Sequence, residues 1–246
     1  MTRVALVTGV VGGIGAAIAA RLKTDGHSVI VSDLPGERLQ AAATDLALPA
    51  YGADLGDLDQ VADMISRIRR DHGAPQILVS AAGGVCGQVG KSLDEVTAGD
   101  WRAVFEANLD SVFHLMHALS ADMRAAGWGR VVTIASGAGL RPSLTGIQAY
   151  TAAKHGLVGL TKQLSQEFGP SGCTVNSIAP GFIRSNPATE RQWDAMGADG
   201  QAALINRIHA RRLGTPEDIA SAAAFLTSES AGWISGQILS VDGGIS

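Results

Sequence analysis

Cysteine is scarce in this 246-residue chain: Cys86 and Cys173 are the only two, too few for a disulfide framework, and a reducing, cytoplasmic compartment is expected. No basic block occurs. Net charge is −4 with both signs interspersed, which argues against nucleic acid or an anionic membrane as the main partner. Apolar runs long enough to span a bilayer are also missing. The nearest approach, Val4 to Ala20, has Arg3 before it and Ala17-x-Ala19 inside it, as a signal peptide would, but four glycines and Thr8 interrupt it and its character changes from strand to helix. No repeat, low-complexity linker or composition break divides the chain, so one domain over residues 1–246 is expected.

What is present is a 46% hydrophobic sequence with 31 glycines in which strand-like and helix-like segments alternate. That alternation predicts an α/β fold, a Rossmann-type doubly wound parallel sheet of about seven strands with helices on both faces. Strands are expected at 3–8, 28–32, near Ala53-Asp54-Leu55, at 77–80, 131–135, 174–179 and 237–241. Helices are expected over 16–22, 57–70, 100–126 and 148–168, with another opening at Thr215-Pro216-Glu217-Asp218, where a capping threonine, a proline and an acid stand in order.

Ligands of open α/β sheets collect outside the carboxyl ends of the strands. After the first strand comes Gly9-Val10-Val11-Gly12-Gly13-Ile14-Gly15, opening into a helix. Glycines there permit a tight turn and close approach to a pyrophosphate, whose charge meets the free amides of the helix start. The second strand ends at Asp33, near the spacing of an acid that holds the adenosine ribose. Such a carboxylate accepts bonds from both ribose hydroxyls and repels a 2′-phosphate, so NAD is expected over NADP. Read blandly, Asp33 is a solvated turn residue before Pro35-Gly36.

Tyr150 and Lys154 stand four apart on the helix from Gln148, which places a phenol and an ammonium on one face. A nearby cation favours phenolate, the form that removes an alcohol proton. The chain holds only two tyrosines, so a chance Tyr-x-x-x-Lys is uncommon.

These features, with Asp54-Leu55, Asn108-Leu109, Ile134-Ala135-Ser136, Pro180-Gly181 and Asp242-Gly243-Gly244 in the same order, resemble the short-chain dehydrogenase/reductase family from Thr8 to Gly244. The resemblance implies Tyr150 as general base or acid, Ser136 as holder of the substrate oxygen, Lys154 on the nicotinamide ribose, and Asn108 kinking its helix and holding a water on a proton relay. It assigns the cofactor to Gly9, Gly13, Ile14, Gly15, Asp33, Asp54, Leu55, Ala82, Gly83, Pro180, Gly181, Ile183 and Ser185 as well as Tyr150 and Lys154. It further implies a substrate lid over 182–213, a homotetramer, and a small alcohol or ketone as substrate; Cys86, Gln148 and Trp193 are expected in the pocket wall beside Ser136. Two departures stand out. Ser80-Ala81-Ala82-Gly83 lacks the side-chain amides of the family's Asn-Asn-Ala-Gly, and the stretch from Ser136 to Tyr150 is one residue longer than in many relatives, with Ser143 and Thr145 as competing hydroxyls. Lid arginines 184, 191, 207, 211 and 212 read as solvated helix residues or as anion contacts. His114 and His117 lie three apart without a third ligand, so no metal is expected. Direction and substrate stay open. The rival readings are an NADP-linked 3-ketoacyl reductase of fatty-acid synthesis and a nucleotide-sensing scaffold without turnover, which would have little use for Ser136, Tyr150 and Lys154 together.

Overall fold

A computed structural model describes residues 2–142 and 146–244. Six parallel strands, β1 (Val4–Thr8), β2 (Ser28–Ser32), β3 (Ile77–Ser80), β4 (Gly129–Ile134), β5 (Cys173–Pro180) and β6 (Ile238–Val241), form one sheet in the order β2-β1-β3-β4-β5-β6. Every residue of β3, β4 and β5 is buried, as both faces of the sheet are covered. Alternate side chains divide between the two faces. Val7, Val79 and Val132 pack with Ile18 and Leu22 of α1 (Gly13–Thr24) and Ile219 and Ala223 of α9 (Pro216–Thr227). Leu6, Leu78 and Val131 pack on the other side with α3 (Leu58–His72), α5 (Ser111–Ala126) and α6 (Gln148–Phe168), through Met64, Leu115 and Leu157. The remaining helices are α2 (Glu37–Leu46), α4 (Ala98–Phe105), α7 (Pro187–Ala195) and α8 (Gly197–Arg207).

Three details shape the site. The strand expected near Ala53-Asp54-Leu55 shrinks to a single parallel bridge between Val31 and Ala50. Backbone bonds run on past the bridge, the Tyr51 amide donating to the Val31 carbonyl at 3.0 Å and the Ala53 amide to the Asp33 carbonyl at 3.2 Å, while Pro49, without an N–H, gives only its carbonyl, which accepts from Val31 at 3.0 Å. Second, the helix expected over 100–126 is broken by a π turn at Glu106–Asp110. Asn108 causes the break: its Nδ2 donates to the Val104 carbonyl at 2.8 Å, taking the acceptor that a backbone amide would use. Third, α6 begins at Gln148 and α9 opens with the expected capping box, Thr215 and Asp218 bonding each other's backbone amides. Among the described residues no helix is long and apolar enough to cross a membrane.

Candidate active site

The loop from β1 into α1 requires glycine at two positions, Gly9 and Gly15. Gly9 has φ +74°, and a Cβ there would sit 2.5 Å from the Ala82 nitrogen; at Gly15 it would sit 2.2 Å from the Gly9 carbonyl. A Cβ on Gly13 would stand 3.0 Å from the carbonyl oxygen of Ser185, whose chain segment lies across the start of α1 and accepts the Gly13 amide at 2.8 Å. The first-turn amides of Ile14 and Gly15 have no acceptor within their helix, and no side chain caps it. Asp33 closes the cradle. Its Oδ2 accepts the Val11 amide at 2.9 Å and its Oδ1 the Leu34 amide at 2.9 Å, which holds the carboxylate against the glycine loop at the end of β2. A dinucleotide fits such a donor set: helix-start amides for its phosphates, a fixed carboxylate for its adenosine ribose.

The neighbouring expected residues gather around this cradle. Ala82 donates its amide to Thr8 Oγ1 at 3.3 Å, while Ser80, two residues earlier, has a buried hydroxyl without a partner. Gly83, at φ +140°, passes so close to Asn108 that a Cβ would meet its Oδ1 at 2.5 Å. Asp54 Oδ1 caps the Gly56 amide at 2.9 Å, and the Leu55 carbonyl is bonded by His114 Nδ1 at 2.9 Å. Past β5, which ends at Pro180, Gly181 bonds Val241 at 3.0 Å, Ile183 is buried and bridged to Gly214, and the Ser185 amide donates to Thr189 Oγ1 at 3.0 Å.

One strand end and one helix bring Ser136, Tyr150 and Lys154 together. Ser136 follows β4, and its Oγ accepts the Ala138 amide at 3.1 Å. The turn after it rests on α6: a Cβ on Gly139 would lie 2.9 Å from the Lys154 carbonyl oxygen. Lys154 is 4% exposed, donates from Nζ to the Ile134 carbonyl at 2.7 Å, and stands 5.5 Å from the centroid of the Tyr150 ring. Burial draws the lysine pKa down to about 7. Burial also raises the Tyr150 phenol above its ordinary value, with a hydrogen bond from Ser136 pulling the other way. In the protein by itself, then, desolvation governs both groups, and phenolate needs further positive charge or donors beside it. Asn108 reaches the same centre through the chain after β3: both of its amide hydrogens are spent, on Val104 and on the Gly84 carbonyl at 2.8 Å, and its Oδ1 accepts the Gly84 amide at 3.0 Å.

The expected pocket-wall residues behave differently. Cys86, at φ +47°, is exposed with its sulfur 3.6 Å from the Ala103 carbonyl; burial of the sulfur and the Glu106 carboxylate raise the thiol pKa. Gln148 spends both ends of its amide on protein groups, donating to Lys91 O at 2.8 Å and accepting from Gln88 at 2.7 Å. Trp193 lies against Phe182, ring centroids 6.1 Å apart, and under the Arg184 guanidinium. Two arginines of the expected lid are paired, Arg184 with Glu190 and Arg212 with Asp218, each at 2.6 Å. Ser143 and Thr145 fall outside the described residues. Gln88 was not foreseen; a glutamine between Gly87 and Val89 carries no sequence signal for the contacts it makes.

Comparison with known proteins agrees along the whole chain. The family described as enoyl-(acyl carrier protein) reductase matches residues 9–246. The chain is 35% identical to the acetoacetyl-CoA reductase of Allochromatium vinosum over 100% of its own length and 99% of the relative's. It is 36% identical to the 3-oxoacyl-[acyl-carrier-protein] reductase of Escherichia coli, covering 99% and 97%. Among solved structures it resembles levodione reductase, with TM-score 0.90 and 29% identity over 98% of this chain and 96% of that one. An actinorhodin polyketide ketoreductase solved with NADPH gives TM-score 0.91 and 28% identity, covering 99% and 97%.

Proposed function

Because the chain belongs to the short-chain dehydrogenase/reductase family, we propose that it is an NAD(H)-linked oxidoreductase interconverting a secondary alcohol and a ketone. The observation that carries this reading is the meeting of Ser136, Tyr150 and a buried Lys154 at the carboxyl end of β4, beside the glycine cradle and Asp33. Nicotinamide, when bound, accepts or supplies the hydride. Everything else falls to the chain. Ser136 Oγ holds the substrate oxygen, and Tyr150 takes the alcohol proton as phenolate or, as phenol, gives its proton to the forming alkoxide. Lys154, buried and close to its titration point, adds positive charge beside the phenol and bonds the nicotinamide ribose. Gly9, Gly13, Ile14 and Gly15 receive the pyrophosphate. Asp33 receives the adenosine ribose, Asp54, Leu55, Ala82 and Gly83 line the adenosine end, and Pro180, Gly181, Ile183 and Ser185 the nicotinamide end. Residues 182–213 form the substrate lid, and the enzyme works as a cytoplasmic homotetramer.

A second reading takes its support from the relatives, several of which are named as reductases of 3-ketoacyl thioesters. On it the substrate is a 3-ketoacyl thioester and the cofactor NADPH. Asp33 favours the first cofactor: a carboxylate fixed by the Val11 amide would face a 2′-phosphate. The test is a panel of 3-ketoacyl thioesters, other ketones and secondary alcohols with NAD(H) and NADP(H), for the wild type and Asp33→Ala. Wild-type turnover should prefer NAD(H), and the substitution should move the kcat/KM ratio toward NADP(H) by about tenfold or more, a change of about 1.4 kcal/mol. A wild type that prefers NADPH, or a ratio untouched by the substitution, contradicts the NAD assignment.

A further inference from the structure

The chain from Gly83 to Lys91, which follows β3, turns repeatedly through left-handed positions, with positive φ at Gly83, Gly84, Cys86, Gly87 and Gly90. Such a segment needs outside support, and it has three anchors. Asn108 clasps Gly84 by both of that residue's backbone polar groups. At the far end Lys91 pairs with Asp100 at 2.9 Å, the same carboxylate that caps α4 with Thr97. Between them, Gln88 is completely buried. Its Nε2 donates to Gly146 O at 3.1 Å and to Gln148 Oε1 at 2.7 Å, and Gln148 Nε2 returns a bond to Lys91 O at 2.8 Å. The network fixes the orientation of both amides. Lys91 O can only accept, so Gln148 must present its oxygen to Gln88, and Gln88 must turn its nitrogen to two acceptors.

That arrangement leaves Gln88 Oε1 buried without a partner, a standing cost that an apolar side chain would not carry. What the cost secures is the start of α6. Gly146 and Gln148 flank Ile147, the residue just before the helix, and Tyr150 follows within the first turn. We propose that Gln88 is a positioning residue, holding the first turn of α6 so that the Tyr150 phenol faces Ser136. This rests on Tyr150 as the proton-transfer group proposed above.

Gln88→Leu removes both donors from the buried side, and Gln148→Met removes the same contact from the half-buried side should the first variant fold poorly. Both are made with Tyr51→Phe, which leaves Tyr150 the sole phenol of the chain. Two readouts are followed: ketone reduction with acetoacetyl-CoA and ethyl acetoacetate, and the phenol absorbance as a function of pH without substrate or cofactor. In either variant, kcat should fall about tenfold or more while the Kd for NADH stays within twofold. The phenol should titrate lower, because a loosened turn admits water. Unchanged kcat and titration in both variants overturn the proposal, as does parallel loss of kcat and NADH binding, which marks general damage. If neither ketone is reduced by the parent, the titration decides alone. Tyr150→Phe separates the two ideas: if it keeps turnover the proposed function fails, whereas if it loses turnover while both glutamine variants keep theirs, only the positioning role fails.

Discussion

Lys154 and Arg130 are both buried cations, each 4% exposed, yet they sit at opposite ends of the same sheet in opposite circumstances. Arg130 is the second residue of β4 and has many partners. Its guanidinium donates to the carbonyls of Gly129, Gly172 and Ser228 at 2.8, 3.3 and 3.3 Å, lies 3.9 Å from the Glu229 carboxylate, and covers the Trp128 ring at 4.4 Å. Burial lowers its pKa and Glu229 raises it, but a guanidinium keeps its proton, so the group is a permanent clamp between β4, β5 and the end of α9. Lys154 lies beyond the other end of the strand with the Ile134 carbonyl as its hydrogen-bond acceptor, and among the described residues no carboxylate pairs with it. Its pKa falls to about 7. A buried cation surrounded by fixed acceptors holds structure; one left with a single neutral partner in a dry site keeps its charge negotiable and its remaining donors free.

The comparison can be broken most severely at Lys154. Lys154→Met should lower turnover by roughly 10²- to 10⁴-fold, the range for loss of acid–base assistance, while the urea midpoint does not fall, because an under-compensated buried charge has been removed. A stability loss with turnover intact would reverse the roles of the two cations. Arg130→Met should do the opposite. The stranded carbonyls of Gly129, Gly172 and Ser228 should cost about 1–3 kcal/mol in urea unfolding, with turnover per folded molecule unchanged.

The smallest effect sharpens the contrast through pH. Lysine in the unfolded chain titrates near 10.4, whereas folded Lys154 titrates at about 7. Between those values the unfolded state binds more protons, so stability should rise with pH across the window and gain nothing from this group below it. The rise over any single pH unit is at most about 1.4 kcal/mol. Tyr150, whose folded pKa is raised, works against it only above its ordinary value of 10. Urea unfolding at pH 8 and 9 should show the slope in wild type and Arg130→Met, and lose it in Lys154→Met.

The sequence made local and repeating features plain. The strand from Ser28, the helix from Gln148 and the box at Thr215 and Asp218 could be read because hydrophobic period, turn residues and caps act over a few positions. Ser136, Tyr150 and Lys154 were legible because each stands at a predictable strand end or helix turn. What escaped depends on partners far along the chain. The kink expected at Asn108 is present as the π turn, but its clasp on Gly84, 24 residues away, was not foreseen; Gln88 meets Gln148 across 60 residues, and Arg130 meets Ser228 across 98. The missing edge strand is a matter of degree: one bridge at Ala50 and the bonds of Tyr51 to Val31 and Ala53 to Asp33 stand where a full strand was expected. The bonds that Gln148 makes to Lys91 and Gln88 likewise depend on side-chain direction, which spacing does not reveal.

The most direct test sets Tyr150→Phe beside the wild type in the alcohol and ketone panel with NAD(H), with NADH binding followed by fluorescence in the same samples. The account predicts wild-type turnover, its loss by at least about 10²-fold in the variant, and NADH affinity left near normal. A variant that turns over as fast as wild type would contradict it.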